Sequence, residues 1–133
     1  MKFGYAIVYV PDVLASVEFF EKAFGLKRRF VHESGYGEMD TGATALAFAS
    51  HDLGASNLPG GYVKASHSGE PLGMEIALVT DDVAAAHEKA ISEGAVSIKE
   101  PILKPWVRPF PMCDVLTERW WKFARRYRTN SLF

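Results

Sequence analysis

Cysteine is almost absent from this chain of 133 residues. The one cysteine, Cys113, cannot form an intramolecular disulfide, which fits a protein of a reducing compartment. No apolar run is long enough to cross a bilayer, and the first residues form a strand pattern rather than a signal peptide. We therefore expect a cytoplasmic protein without a membrane partner.

Signatures of several common chemistries are also missing. No glycine-rich phosphate motif follows a strand. The candidate nucleophiles Ser16, Ser34 and Ser50 lack the histidine and aspartate company that would activate them. The histidines share no metal-ligand spacing and are interpreted as solvated side chains: His32, His51, His67 and His87. Nucleophilic catalysis and phosphate binding therefore have no support in the sequence.

The residues that are present describe one ordinary globular domain. Hydrophobic residues make up 48% of the chain and charged residues 23%, and the length is sufficient to bury a core. An internal repeat organises this domain. The run Glu75–Val83 is an apolar strand that ends in an acidic turn before a helix, and Tyr5–Val13 does the same 70 residues earlier. Such a repeat indicates a duplicated strand–helix unit.

Hydrophobic periodicity and turn residues predict the elements of each copy. The first copy is predicted to contain strand Tyr5–Val10, helix Val13–Phe24 and strands Leu26–Glu33, Tyr36–Asp40 and Thr44–Ser50. The second copy is predicted to contain strand Met74–Thr80, helix Asp82–Glu93 and strand Ala95–Glu100. Residues 51–73 are rich in Gly, Ser and Pro and are predicted to form a long connection, either a cover over a ligand site or a plain linker.

The element order, with an Asp-Val pair between strand and helix in each copy, resembles the vicinal oxygen chelate superfamily. That group includes glyoxalase I, bleomycin-resistance proteins, fosfomycin-resistance enzymes and extradiol dioxygenases. The resemblance runs from about Met1 to Trp106. It implies an α+β fold in which tandem βαβββ repeats form a curved mixed sheet. The implied domain is 1–106, with repeats at about 1–53 and 74–106.

The resemblance stops after Trp106, where the second repeat is two strands short. Two prolines, Pro109 and Pro111, argue against a central strand in the segment that follows. The run Val115–Tyr127 has apolar side chains at helical spacing among basic ones and predicts an amphipathic helix. Residues 107–133 are therefore predicted to be an atypical basic tail that the family does not have.

A shifted reading frame explains this break. We consider the reading frame in which each codon begins with the last base of a codon of the printed sequence. In that frame, the codons of Trp120 and Trp121 together must encode Val, and those of Trp121 and Lys122 must encode Glu. Suitable choices elsewhere produce the missing strand, a Pro-Asp-Gly turn and the last strand. The charge of residues 104–133, 7 basic against 2 acidic, is then an accident of frame. We therefore expect no nucleic-acid partner, although basic tails often have one.

The resemblance also implies positions for metal ligands. Metal-using members place His, Gln or Glu on the first and last strands of each repeat, where they leave open coordination positions. Those positions are Tyr5, Glu75 and the vicinity of Ala47, and the fourth is lost with the frame. A phenol titrates near ~10 and alanine has no donor atom, so only Glu75 matches. We therefore expect no metal cofactor. An exposed edge carboxylate is the alternative for Glu75.

Two function classes follow from these positions. The favoured one is a non-catalytic module that binds a small apolar or aromatic molecule on a cupped sheet, with Tyr5, Phe48, Glu75 and Trp106 as the binding residues. A core role is the alternative for the aromatic residues. The other class is a metal-dependent lyase, isomerase or dioxygenase that is inactive in the frameshifted form.

The truncated second repeat also predicts how the chain assembles. Without its last two strands it leaves a sheet edge and an apolar face uncovered, which favours pairing with another chain. We therefore expect a homodimer. The tail aromatics Trp120, Phe123 and Tyr127 are predicted to pack against the sheet or the partner chain.

Overall fold

The structure is a computed structural model. It describes residues 1–70 and 72–97 and the backbone of Met112–Cys113. The elements in chain order are β1 (Tyr5–Val10), α1 (Val13–Phe24), β2 (Lys27–His32), β3 (Tyr36–Asp40), β4 (Ala45–Ser50), α2 (His51–Asn57), a 3-10 turn (Ala65–His67), β5 (Leu78–Val79), α3 (Val83–Ser92) and β6 (Met112–Cys113). Within this described part of the chain, no helix has the length and apolar character needed to cross a membrane.

The first half of the chain forms a four-stranded sheet in the order β1-β4-β3-β2. β1 runs parallel to β4, and β3 runs antiparallel to both β4 and β2. The parallel pair consists of the first and last strands of the repeat, and α1 and the β2–β3 hairpin lie between them in sequence. The predicted α+β fold with a mixed sheet is confirmed.

Helix α1 covers one face of this sheet. Its first turn is capped by Asp12, whose carboxylate accepts a hydrogen bond from the Ala15 backbone N–H at 2.8 Å. Gly25 ends the helix in the left-handed conformation, with a φ of 65°. One stripe of the helix packs on the sheet, and the ring centroid of Phe20 lies 5.1 Å from that of Phe48. The core therefore lies between α1 and the four strands.

The prediction of a loop after β4 was wrong at its first turns, because residues 51–57 form α2. The Ser50 hydroxyl accepts a hydrogen bond from the Leu53 backbone N–H at 3.2 Å and caps this helix. Gly54 allows Tyr9 and Tyr62 to approach closely, since a Cβ there would lie 2.6 Å from the Tyr62 hydroxyl and 2.9 Å from the Tyr9 ring. This packing stabilises a helix that local propensity does not predict.

The second half keeps its helix but little of its sheet. Asp82 caps α3 through the Ala85 backbone N–H at 3.0 Å, and the predicted helix is confirmed. The predicted strand Met74–Thr80 is reduced to β5, and Ala95–Ser97 is not a strand. Residues 98–100 lie outside the described part. The prediction of a longer strand was wrong because a strand requires a hydrogen-bonded neighbour along its length, and the described partner of β5 has two residues.

That partner, β6, is a short strand that the sequence analysis did not predict. Met112 and Cys113 pair antiparallel with Val79 and Leu78, directly after the prolines that argued against a central strand. The prolines precede the pair and β6 belongs to a two-stranded sheet, so no ladder donor within the pair is lost. The predicted tail helix Val115–Tyr127 lies outside the described residues.

Candidate functional site

The candidate site is the face of the four-stranded sheet that points away from α1. Side chains alternate between the two faces of a strand, and Phe48 and its register partners Val8 and Gly37 face the helix. The opposite face, named the open face below, carries the alternate residues of each strand: Tyr5, Ile7 and Tyr9 on β1, Ala45, Ala47 and Ala49 on β4, Tyr36, Glu38 and Asp40 on β3, and Phe30 on β2.

Small residues at the centre of the open face are covered by larger side chains on either side. The three β4 alanines lie between the longer side chains of β1 and β3 and are at most 2% exposed. On the β1 side, Tyr5 is 54% exposed and Ile7 is also exposed. On the other side, the ring centroids of Phe30 and Tyr36 are 6.0 Å apart. The accessible apolar surface of this face is therefore aromatic and lies on either side of the buried alanines.

A buried carboxylate lies on this face. Glu38 is only 6% exposed, and its two oxygens have separate partners. One accepts a hydrogen bond from the Tyr36 hydroxyl at 3.0 Å, and the other accepts from the Arg29 guanidinium at 3.1 Å. Arg29 also reaches the Asp40 carboxylate at 3.4 Å. The charge of Glu38 is therefore compensated, as a buried charge requires.

The same cluster controls the ionisation of Tyr36. Burial, followed by the hydrogen bond to Glu38, raises the pKa of Tyr36 to about 12. The nearby carboxylate of Glu38 and the phenol of Tyr5 raise that pKa further, while Arg29 opposes them. Tyr36 is therefore a neutral hydrogen-bond donor to Glu38 at physiological pH.

Sequence reasoning missed Glu38, Tyr36 and Arg29. The signal was present in the strand Tyr36-Gly-Glu-Met-Asp40, where a carboxylate stands between residues that face the core. Arg28 and Arg29 in the paired strand were the matching signal. A register shift between Arg28 and Phe30 then separates the two arginines. Arg28 binds Glu21 of α1 at 2.6 Å, whereas Arg29 reaches the open face.

A second polar group lies where the open face meets α2. The Tyr62 hydroxyl and Nδ1 of His51 are 2.7 Å apart, and the rings of Tyr9 and Tyr62 have centroids 5.1 Å apart. Asn57 donates a hydrogen bond to the Tyr9 hydroxyl at 3.3 Å. Burial lowers the pKa of His51, and Lys64 and His67 lower it further. The expectation of a solvated His51 was therefore wrong.

Another histidine was also misplaced by sequence reasoning. His87 is only 6% exposed on α3, and its Nε2 lies 2.9 Å from the Ser97 hydroxyl. It is therefore a core residue with a hydrogen-bond partner, which contradicts the solvated role expected for it.

The predicted binding residues separate in the structure. Tyr5 lies on the open face, but Phe48 is 0% exposed and packs in the core beneath α1, so the core alternative applies to Phe48. The physical reason is strand alternation, since Phe48 is one residue away from the alanine positions that face outward. Glu75 is exposed in an irregular segment before β5 and does not share a sheet face with Tyr5. Trp106 lies outside the described residues.

The residues at the implied ligand positions do not fit a metal ion. Tyr5 offers a phenol, Ala47 has no donor atom, and Glu75 lies outside the described strands. Within residues 1–70 and 72–97, no three side chains of the ligand types His, Cys, Asp or Glu are grouped so that they could hold an ion. The one buried carboxylate in that part of the chain, Glu38, already binds Arg29 and Tyr36.

Comparisons with known proteins agree with this fold. The family model of the Glyoxalase/Bleomycin resistance protein/Dioxygenase superfamily matches residues 2–108. The match therefore ends two residues beyond Trp106, close to the position where the family pattern breaks. No curated protein matches the sequence.

Solved structures of the same kind resemble the chain at low sequence identity. A glyoxalase-related enzyme from Fulvimarina pelagi superposes with a TM-score of 0.65 and 17% identity, over 79% of this chain and 73% of the other. A glyoxalase/bleomycin resistance protein/dioxygenase family enzyme from Burkholderia phytofirmans PsJN has a TM-score of 0.60 and 20% identity, over 80% and 84% of the two chains. A hypothetical protein from S. aureus has a TM-score of 0.62 and 18% identity, over 79% and 78%. At such identities the similarity establishes the fold alone.

Proposed function

The chain belongs to the glyoxalase/bleomycin resistance protein/dioxygenase superfamily, and from this premise we propose that it binds a small apolar or aromatic molecule without metal catalysis. The binding surface is the open face of the first repeat. The carrying observation is the aromatic surface on either side of the buried β4 alanines, with Tyr5 on one side and the Phe30–Tyr36 pair on the other. Flat apolar ligands gain most from such aromatic surfaces.

The polar cluster gives this surface a fixed edge. Glu38 is held by Arg29 and also accepts the Tyr36 hydroxyl, so the Tyr36 ring is anchored at its polar end. A ring that is already fixed loses little conformational freedom when a ligand packs against it. The carboxylate therefore acts as a positioning group for the aromatic wall, and the ligand contacts the ring rather than a free acid.

The alternative function is metal-dependent lyase, isomerase or dioxygenase chemistry of the same superfamily. That chemistry requires a divalent ion to polarise a substrate oxygen. The donor set at the implied positions is one phenol, one alanine and one exposed carboxylate, which is poor for a divalent metal. This observation favours the binding module over the metal enzyme.

Binding is tested with the neutral fluorophore N-phenyl-1-naphthylamine on the full chain. We expect Tyr5→Ala to raise its Kd about tenfold, which corresponds to about 1.4 kcal/mol, because an exposed aromatic wall is removed. The control is Leu14→Ala, which removes an exposed apolar side chain from α1 on the other side of the molecule. Equal affinities for both variants, or no binding by the unmodified chain, would contradict the proposal.

The metal alternative is tested by elemental mass spectrometry after incubation with manganese, iron, nickel and zinc salts and gel filtration. We expect less than one bound ion per chain. A stoichiometric ion that is lost in Glu75→Gln and kept in Glu70→Gln would support the metal enzyme instead. Glu70 is the matched control because it is another exposed carboxylate between the 3-10 turn and β5.

We also propose that the chain forms a homodimer. Among the described strands, β1 and β2 are the edges of the four-stranded sheet, and edges present unpaired backbone groups that favour pairing with another chain. Phe30 and Val31 add exposed apolar side chains to the β2 edge. Light scattering at several concentrations tests this: we expect twice the chain mass, and a constant monomer mass would reject the dimer.

A further inference from the structure

A groove on the helix side of the molecule is separate from the open face. It lies between the C-terminal half of α1, α3 and β5 and encloses about 720 Å³. Its apolar lining includes Phe24, Leu26, Leu78, Val79, Ala85 and Ala86. We call this lining the helix groove. The alanines leave the space that larger side chains would fill.

Apolar surface in the helix groove is left uncovered by the described residues. Val79 is 62% exposed, and Leu78 is only half-buried although it packs against Phe24. Contiguous apolar surface of this kind marks an interaction site more often than a solvated face. The shape is too large for a single side chain and suits a helix or a short peptide segment.

The backbone places one segment of the chain at the wall of this groove. Leu78 and Val79, which line it, pair with Cys113 and Met112 of β6. The chain therefore leaves Cys113 beside the helix groove, with 20 residues still to follow. The amphipathic run Val115–Tyr127 begins two residues later. As a helix its 13 residues would be about 20 Å long, similar to α1.

Charge also favours this segment. The charged residues of the groove lining are Lys22, Lys89 and Asp82. Around the lining lie five further carboxylates, one of which, that of Glu21, is already paired with Arg28: Glu18, Glu21, Asp81, Glu88 and Glu93. Both lysines already contact a glutamate carboxylate, Lys22 that of Glu18 and Lys89 that of Glu93. The segment Val115–Tyr127 carries 4 basic side chains against 1 acidic one. Opposite fields of this kind orient two surfaces, although each exposed pair adds little stability.

We propose that the helix groove is the docking site of the chain's own segment Val115–Tyr127. The apolar stripe of the segment, which contains Leu116, Trp120 and Phe123, packs on the groove lining. Its basic residues face the acidic flanks of α1 and α3. This contact does not depend on ligand binding at the open face. It assigns an intramolecular partner to the surface that the short second sheet leaves exposed.

The test uses a substitution inside the groove and the same substitution beside it. Ala85→Arg adds bulk and positive charge to the lining, while Ala84→Arg makes the same change one residue earlier on α3, at an exposed position outside the lining. Arginine is a good helix former, so α3 remains favourable in both variants. Far-ultraviolet circular dichroism checks that both variants are folded.

Two readouts report the segment directly. All three tryptophans, Trp106, Trp120 and Trp121, lie in or just before the tail, so their emission reports burial of the segment. Trypsin cleaves after the tail's basic residues at a rate set by how often the segment leaves its site. For Ala85→Arg we expect red-shifted emission and cleavage about tenfold faster than in the unmodified chain. For Ala84→Arg we expect neither change.

Other occupants give different results. Protection that disappears on dilution would show that a second copy of the chain fills the groove, which overturns the proposal. An additional small-molecule mass in native mass spectrometry, together with rapid tail cleavage, would also overturn it. Identical cleavage and emission for Ala85→Arg, Ala84→Arg and the unmodified chain would show that the segment does not use this groove.

A second matched pair of substitutions distinguishes loss of docking from general destabilisation of the fold. Val79→Asp places a charge on the exposed β5 wall, and Val96→Asp places the same charge at an exposed valine outside the lining. We expect only Val79→Asp to accelerate cleavage of the tail. Equal acceleration by both variants would indicate general destabilisation and contradict a specific docking site.

Discussion

The two repeats begin with the same local signals and end with different packing. Asp12 and Asp82, which are 70 residues apart, cap their helices through equivalent backbone N–H groups at 2.8 and 3.0 Å. Helix α1 then packs on a four-stranded sheet and buries five of its residues. Helix α3 buries only His87 and Ala90, and its β5 neighbour has two residues. A cap can therefore define where a helix starts without defining how much of it is buried.

The difference follows from which strands are available. In the first repeat, β1 pairs with β4 along six residues, so the sheet-facing side of α1 packs on a continuous surface. In the second repeat, the described partner of β5 is β6, and the pair has two residues in each strand. Helices in proteins draw most of their stability from packing rather than from propensity. The second repeat should therefore open more readily than the first.

Restoring the reading frame after Trp106 should remove this difference. The shifted frame is a prediction that the coding DNA tests directly, through one missing base after the Trp106 codon. In a chain made from the restored frame, the added hairpin supplies the two missing strands of the second repeat, on which α3 can pack. We expect amide exchange in α3 to become slower, which corresponds to an opening free energy that is higher by several kcal/mol and closer to that of α1. Unchanged exchange in α3 would mean that the printed tail already supplies an equivalent cover.

A matched pair of valines measures the packing difference directly. Val13 and Val83 occupy the first position of α1 and α3, but Val13 is buried and Val83 is half-buried. We expect Val13→Ala to lower the free energy of unfolding by about 2 kcal/mol, because methyl groups leave a packed core. For Val83→Ala we expect less than about 1 kcal/mol. Urea denaturation measures both, and equal losses would show that the two helices are packed alike.

The two helix caps separate local from global stability. Asp12→Ala removes the acceptor for the Ala15 backbone N–H and should lower global stability by about 1 kcal/mol. Asp82→Ala removes the same interaction from α3, but we expect it to change amide exchange in α3 with little effect on global unfolding. The conservative replacements Asp12→Asn and Asp82→Asn, which keep a capping oxygen, are the controls. A global loss from Asp82→Ala would show that α3 unfolds together with the first repeat.

The smallest expected effect concerns the buried cluster of the first repeat. Because the pKa of Tyr36 is raised from 10.0 to about 12 in the folded chain, the folded state keeps this proton while the unfolded state loses it. The contribution to stability is full below pH 10.0 and declines as the pH rises to about 12. Tyr36→Phe should remove this part of the alkaline decline. Absorbance titration of the phenols checks it: Tyr36→Phe should remove a phenol with a pKa of about 12, and the loss of one with a pKa near 10.0 would contradict the assignment.

The candidate site was only partly accessible from sequence. Tyr5 could be placed on the outward face of a sheet because strand alternation and the internal repeat position it. Phe48 could not, since a shift of one residue exchanges the two faces and β4 is apolar along its length. Glu38 was missed because its partner Arg29 is nine residues away across a hairpin. The bulge that turns Arg29 toward Glu38 has no signal in the sequence.

The sequence by itself determined the local structure of this protein: two capped helices, the glycine that ends α1, and the turns that separate β2, β3 and β4. These features depend on hydrogen bonds and torsion angles within a few residues, so they are encoded where they occur. Only the tertiary structure decided that residues 51–57 are helical, that Glu38 is buried and that β5 is short. Each of those outcomes requires contact between distant residues, such as Gly54 with Tyr9 or β5 with β6. Whether such a contact forms depends on the packing of the rest of the chain.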